Sequence, residues 1–163
     1  MLNVKQQAAQ FREVKAMGEI ALASEYTIVL DDYPSMRLLF KEFPVPIINP
    51  TDDIEVTLNG GQKTGTRGVA RTYFTGSAAL IDTVHGHSRK FIEELSMNRT
   101  VSSRPTINGV IYHGTEDDHT QSFRIEDVAF FGFDPIQADT ENAQAVIAQG
   151  QCAYHYFGEE SPL

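Results

Sequence analysis

Apolar residues at Val4, Ala8, Phe11 and Val14 recur every three or four positions, with Lys5, Gln6, Arg12 and Glu13 on the other side, which predicts an amphipathic helix over residues 3–16. A second helix is expected at 83–97, where Val84, Phe91, Ile92 and Leu95 share a face. Asp82 can cap it, although Gly86 and the β-branched neighbours weaken the first turn. Elsewhere the period falls to two, the spacing of strands.

Tyr26, Ile28 and Leu30 alternate through residues 25–31, and a turn at Asp32-Tyr33-Pro34-Ser35 leads into an expected partner strand at 36–43. Apolar stretches at 45–48 and 54–58 flank the turn-rich Asn49-Pro50-Thr51-Asp52-Asp53, which predicts a long projecting hairpin with its tip at 49–53. Asn59-Gly60-Gly61 then opens a loop that runs to Gly68. Residues 69–81 form one long strand in which Gly76 marks a bend or a close backbone approach. Further strands are expected at 106–113, 122–133 and 146–157, joined by polar loops at 114–121 and 134–144. The last strand places Val146, Ala148, Cys152, Tyr154 and Tyr156 on one side and Gln149, Gln151 and His155 on the other.

No internal repeat or linker interrupts this order, so the chain reads as one domain over residues 1–163. It divides into an N-terminal helical arm (1–24), a β-rich core (25–158) and a C-terminal tail (159–163). The fold class is α+β, mainly β: a β-sandwich or barrel of about seven strands with one flanking helix, the long projecting hairpin and the N-terminal helical segment.

At 163 residues, of which 41% are apolar, the chain is long enough to bury a core without metal or disulfide staples. Its one cysteine, Cys152, excludes an intrachain disulfide and any CxxC zinc pair, and it is expected in a reducing compartment. No apolar run reaches the roughly 20 residues of a membrane span, and the polar N-terminus is unlike a secretory signal, so a soluble protein made in the cytosol is expected. The net charge of −9 is unevenly spread: residues 105–163 hold ten acids against Arg124 alone, while the preceding residues are balanced. Such an acidic stretch disfavours docking onto nucleic acid, which requires Lys and Arg to displace phosphate counterions. The same acidity also serves plain solubility.

Candidate chemistry is sparse. Asp82, His85 and His87, and again Asp117, Asp118 and His119, could contribute metal ligands, but the first group falls where a helix begins and the second in a loop. Gly60-Gly61-Gln62-Lys63-Thr64-Gly65 lacks the phosphate-loop order and has no following helix to hold a phosphate. Cys152 lies on the apolar side of a strand and reads as a small buried hydrophobe, and no G-x-S-x-G elbow exists. Asn98-Arg99-Thr100 is a glycosylation sequon without a secretory route to the modifying enzyme. No catalytic residue, metal site or cofactor follows from these residues, and the long strands with polar edges point to assembly.

The order of elements resembles the tail tube proteins of contractile-tail bacteriophages. The likeness runs over residues 25–158. It is carried by Phe43-Pro44-Val45-Pro46-Ile47-Ile48, by Ile54-Glu55-Val56-Thr57-Leu58-Asn59-Gly60-Gly61, by the helix containing Arg89-Lys90-Phe91-Ile92-Glu93-Glu94-Leu95, and by the ending Gly132-Phe133-Asp134-Pro135 and Tyr154-His155-Tyr156-Phe157. Asp134 is inserted before the proline, and Phe157 stands where the family often has Trp. The resemblance implies a structural virion protein whose homohexameric rings stack into a tail tube that conducts DNA during ejection without binding it specifically. Its implied partners are further copies of itself, the tail sheath protein, the tape-measure protein and baseplate tube-initiator proteins, in a virion tail assembled in the host cytoplasm.

The N-terminal helix departs from the family pattern and favours the alternative of a tube-like baseplate or tail-end adaptor that forms a single ring. A small metal-dependent hydrolase is the competing class. Under the tube reading, the proline-stiffened hairpin is expected to contact the adjacent ring through Val45, Ile47, Asn49, Pro50, Asp52, Ile54 and Val56. The acidic residues Asp117, Asp118, Asp134, Asp139 and Glu141 are expected on the lumen wall, where like charge prevents DNA from sticking.

Overall fold

The computed structural model describes residues 3–98, 100, 102 and 106–159. Most of the C-terminal tail and Arg99 of the sequon therefore lie outside the described residues. The architecture is α+β and mainly β, with eight strands and two α-helices among the described residues. Helix α1 (Val4–Met17) precedes β1 (Tyr26–Leu30), β2 (Phe40–Glu42), β3 (Asp53–Thr57), β4 (Lys63–Arg67) and β5 (Tyr73–Ile81). Helix α2 (His87–Met97) follows, and then β6 (Ile107–Gly114), β7 (His119–Phe131) and β8 (Ile147–Tyr156).

Six strands form one antiparallel sheet in the order β1-β6-β7-β8-β5-β2, curled into a nearly closed, barrel-like form, while β3 and β4 pair only with each other. Residues opposite one another share a face, so Ile28, Ile111, Ile125, Tyr156, Tyr154, Phe74 and Leu80 all point to the core side. Val29, Val110 and Tyr112 form a small buried cluster on the opposite face. Phe91 of α2 closes the core, meeting Tyr33 edge-on at 4.9 Å and Phe130 at 5.6 Å between ring centroids. Helix α2 begins at His87, later than expected. Asp82 is not its cap residue but still accepts from the Ser88 backbone N–H at 3.2 Å, and the Ser88 hydroxyl donates to the Ile81 carbonyl, fastening the helix start to the end of β5.

Cys152 is fully buried, and burial pushes its thiol up to about 12, so it is a neutral packing group. Tyr154 beside it is equally buried, and its hydroxyl donates to the Pro44 carbonyl at 2.5 Å. The close approach expected at Gly76 is present: a Cβ there would stand 2.6 Å from the Pro44 Cβ. These two contacts hold residues 43–48 across the sheet as an extended strap, with Pro46 buried and Phe43 and Val45 packed against the core.

Three expectations are corrected. The strand at 36–43 is instead a 3₁₀ turn, Pro34–Leu38, followed by the short β2, because Pro34 at the first helical position presets the turn and drives Met36 inward. The strand at 69–81 starts only at Tyr73, and Val69 is exposed. Strand β7 begins at His119, within the expected loop, because it is held by its ladder to β6 rather than by an apolar pattern.

Ile125 and Val128 are three residues apart yet both buried, which an even strand cannot do. A β-bulge resolves this: Glu126 faces His155 and Ala129 faces Ala153, so one extra residue is inserted between them. Asp127 sits in the bulge at φ 52°, with its N–H donating to the Asn108 side chain at 3.3 Å. Asp127→Val is expected to cost about 1–2 kcal/mol, since a β-branched residue resists the left-handed region, and Asp127→Gly should cost less. Urea unfolding midpoints of the two variants check the order.

Candidate assembly interface

Three uncovered features concentrate the surface that a lone chain leaves unused: the sheet edge at β5, the β3–β4 arm and helix α1. Strand β5 pairs with β8 from Tyr73 to Ile81, but on its other side β2 reaches only Ala79 and Leu80. Residues 73–78 therefore present an edge with no strand partner among the described residues. Edges of this length invite addition of a strand from another chain.

The hairpin exists, but its placement differs from the expectation. Residues 49–53, expected at the tip, are the root: the Arg71 N–H donates to the Asn49 carbonyl, the Gly68 N–H to the Asp52 carbonyl, and Pro50 bridges Ala70. From this root β3 and β4 run outward in register from Asp53 opposite Arg67 to Thr57 opposite Lys63. The tip is 58–62, where Gly60 and Gly61 adopt φ 89° and 81°, values that only glycine takes without strain. Strand β4, with no apolar alternation, exists because β3 supplies its backbone partners; it lies in the expected loop.

Every residue of β3 and β4 is exposed. One face of this ribbon carries Ile54, Val56 and Leu58 with Thr64 and Thr66; the other carries Asp53, Arg67 and the Glu55–Lys63 ion pair at 3.1 Å. An isolated two-stranded ribbon is marginal in water, so the amphipathic division fits a ribbon that is covered on one face. Among the other residues expected on this arm, Val45 packs against the core, Ile47 is exposed in the strap, and Asn49, Pro50 and Asp52 lie at the exposed root. The structure thus gathers Ile54 and Val56 at one patch and leaves Val45 away from it.

The acidic residues form two groups. Asp117 and Asp118 lie in the β6–β7 turn, where the Asp118 carbonyl receives the Thr115 N–H. Asp134, Asp139 and Glu141 follow β7. Strand β7, 13 residues long, separates the two groups, which lie beyond its opposite ends. Asp139 is held below the usual carboxylate range by the Asn142 amide first and the Glu141 N–H second, and it is ionised at neutral pH.

The histidine groups have local roles. His87 Nδ1 lies 2.6 Å from the Thr83 hydroxyl, and His119 Nδ1 lies 3.2 Å from the Glu116 carbonyl. Among the described residues no three His, Cys, Asp or Glu side chains gather in a metal-holding arrangement. His113 lies 2.9 Å from Glu25, whose carboxyl is lowered chiefly by the Leu22 N–H and then by His113.

No protein-family model and no curated protein matches the sequence. Solved structures do match. In the cryo-EM sheath–tube complex of an extracellular contractile injection system, PVC, in its extended state, one chain aligns with a TM-score of 0.63 at 9% identity, covering 87% of this chain and 92% of that one. The PVC sheath/tube terminator aligns at 0.64 and 9% identity over 83% and 93%. The tube-terminating cap of the anti-feeding prophage aligns at 0.66 and 12% identity over 84% and 88%. Over more than four fifths of its length, this chain has the tube-type fold found in contractile injection systems and their terminators.

Proposed function

We propose that the chain is a structural subunit that closes into hexameric rings, which stack into the inner tube of a contractile tail or a tail-derived injection particle. The observation that carries this reading is the tube-type fold bearing an arm whose apolar face, Ile54, Val56 and Leu58, stays exposed among the described residues. Ring closure supplies strand partners to the open β5 edge, and stacking supplies a cover for the arm. The partners that follow are other copies of the chain, a surrounding sheath, a tape-measure protein within and initiator proteins at the baseplate. DNA is the proposed cargo, passing without specific binding.

A second reading, a terminator forming one ring at a tube end, is favoured by two of the matched structures being of a tube terminator and a terminating cap. Electron microscopy of the purified protein separates the two. Tubes of stacked rings are expected, single rings would select the terminator, and a persistent monomer would overturn both.

Asp117 and Asp118, in the β6–β7 turn, are proposed to face the passage, where carboxylates repel phosphate within about 8 Å at physiological salt. Carboxyl modification by a bulky reagent is expected to label Asp117 and Asp118 in the free subunit but not in tubes. Equal labelling in both would place them on the sheath side.

A further inference from the structure

We propose that helix α1 of one copy seats in the groove between α2 and residues 133–147 of a second copy, making a head-to-tail contact within the ring. This rests on the reading of the chain as a self-assembling subunit and names the segment that joins neighbours.

The helix is built to persist without support from its own chain. Asn3 accepts from the Gln6 N–H, and the Gln6 side chain accepts from the Asn3 N–H, both at 3.0 Å, which closes a capping box. Gly18 ends the helix at φ 124°. Yet none of its 14 residues is buried, and a helix of that length is marginal in water by propensity alone. Val4, Phe11 and Val14 stand exposed along one stripe about 15 Å long. Lys5 and Arg12 are seven residues apart and fall on a single flank of that stripe.

The groove has the matching polarity. The apolar part of its lining is Ile92, Phe133, Ile136 and Val146, in two cavities of about 460 and 580 Å³ that share Asp134, Pro135 and Ile136. Asp134 and Asp139 stand on the segment that follows β7, and on the α2 wall Arg89 is paired with Glu93 at 3.8 Å, so the balance of charge in the lining is acidic. An apolar stripe with a basic flank thus meets an apolar floor with an acidic flank, so charge sets which way round the helix lies. A second apolar groove of about 470 Å³, beside Tyr26, Pro46 and Phe123, has no carboxylate in its lining and offers Lys5 and Arg12 no counterpart. Because helix and groove are different surfaces of one chain, the contact is heterologous and propagates from copy to copy until a ring closes.

Disulfide trapping in the full-length protein tests the contact. Cys152 is fully buried and leaves introduced thiols as the reactive ones. Mixing Ala8→Cys with Ile136→Cys under mild oxidation should give a covalent dimer that neither variant forms alone. Lys5→Glu with Arg12→Glu should raise the concentration of half-assembly about tenfold, and adding Asp134→Lys with Asp139→Lys should restore it.

Rings or tubes from the unaltered protein, with no mixed dimer and no effect of charge reversal, would overturn the docking and leave the subunit reading standing. Trapping of Ala8→Cys by Phe123→Cys instead would assign the helix to the other groove. A disulfide formed inside single chains of the Ala8→Cys, Ile136→Cys double variant at high dilution would return the helix to its own body. Failure of the unaltered protein to associate at any concentration would defeat the subunit reading itself.

Discussion

Ala153→Pro should leave no stably folded protein. Ala153 is the residue of β8 that faces Thr75 of β5 on one side and Ala129 of β7 on the other, so the strand is laddered on both flanks at that point. Proline removes an N–H from one ladder and forces its ring against the neighbouring strand, which costs about 3 kcal/mol or more. Ala153 is also buried, and the larger ring adds overpacking of about 1–3 kcal/mol. Together these approach the whole stability of a domain, about 5–15 kcal/mol. The measurement is circular dichroism with a thermal melt, and a cooperative transition near that of the unaltered protein would contradict the sheet order. Ala148, on the same strand, is a gentler position because β7 pairs with β8 only from Gln151 onward.

The converse behaviour is expected of Ile54→Asp with Val56→Asp: a folded subunit that makes no tubes. Both side chains are exposed in the chain, so the melting transition should move by no more than about 0.5 kcal/mol equivalent. In a stacked assembly each, already about half covered, forfeits about 1 kcal/mol of apolar burial, and the new carboxylates must also lose water at a further cost of about 2 kcal/mol or more. The concentration needed for tube formation should therefore rise by more than about a hundredfold. Sedimentation velocity beside negative-stain microscopy distinguishes this from unfolding. Tubes of normal length from the double variant would remove the arm from the stacking contact. Glu55→Gln with Lys63→Gln, on the opposite face, should leave tube formation within about threefold of the unaltered protein, because an exposed ion pair contributes little.

Where burial alone decides conformation, the sequence pattern was sufficient. The alternation of Ala148, Cys152, Tyr154 and Tyr156 located β8 to within a residue at each end, and Phe91, Ile92 and Leu95 located the packed face of α2. Gly76 was legible as a bend or a close approach, and the structure shows the approach, against Pro44. The failures have a common cause in partners that lie elsewhere in the chain. Met36 and Leu38 alternate like a strand, yet a period of two over so few residues cannot be told from a turn in which only Met36 enters the core.

The hairpin root reads as a tip because Asn49, Pro50 and Asp52 are turn-forming types, while their actual partners, Gly68 to Arg71, read as the end of a loop and the start of the long strand that follows it. The φ values of Gly60 and Gly61, which set the true tip, are not encoded in any pattern of polarity. Asp127 shows the same limit: its extra position in the register is visible only once Ile125 and Val128 are both found inside. For the assembly surfaces, Ile54 and Val56 were legible as surplus apolar residues. The groove that faces Asp134 and Asp139 was not, since it is formed by α2 and a loop distant in sequence.

The strap at 43–48 also fixes how the arm responds to force. Traction on the arm reaches the body by two legs: Pro44, which is hydrogen-bonded to Tyr154 of β8 and wedged against Gly76 of β5, and residues 71–72, which lead straight into β5 and whose Thr72 carbonyl accepts from the Tyr156 N–H. Those two strands are laddered to each other along the whole of β5, so the pull is divided over many bonds at once. Beyond residue 49 the ribbon has no such backing, and each of its residues in β3 and β4 is exposed. The arm is therefore a compliant blade on a stiff hinge-post: it can flex to follow a neighbour that twists or shifts, while the barrel that anchors it keeps its shape.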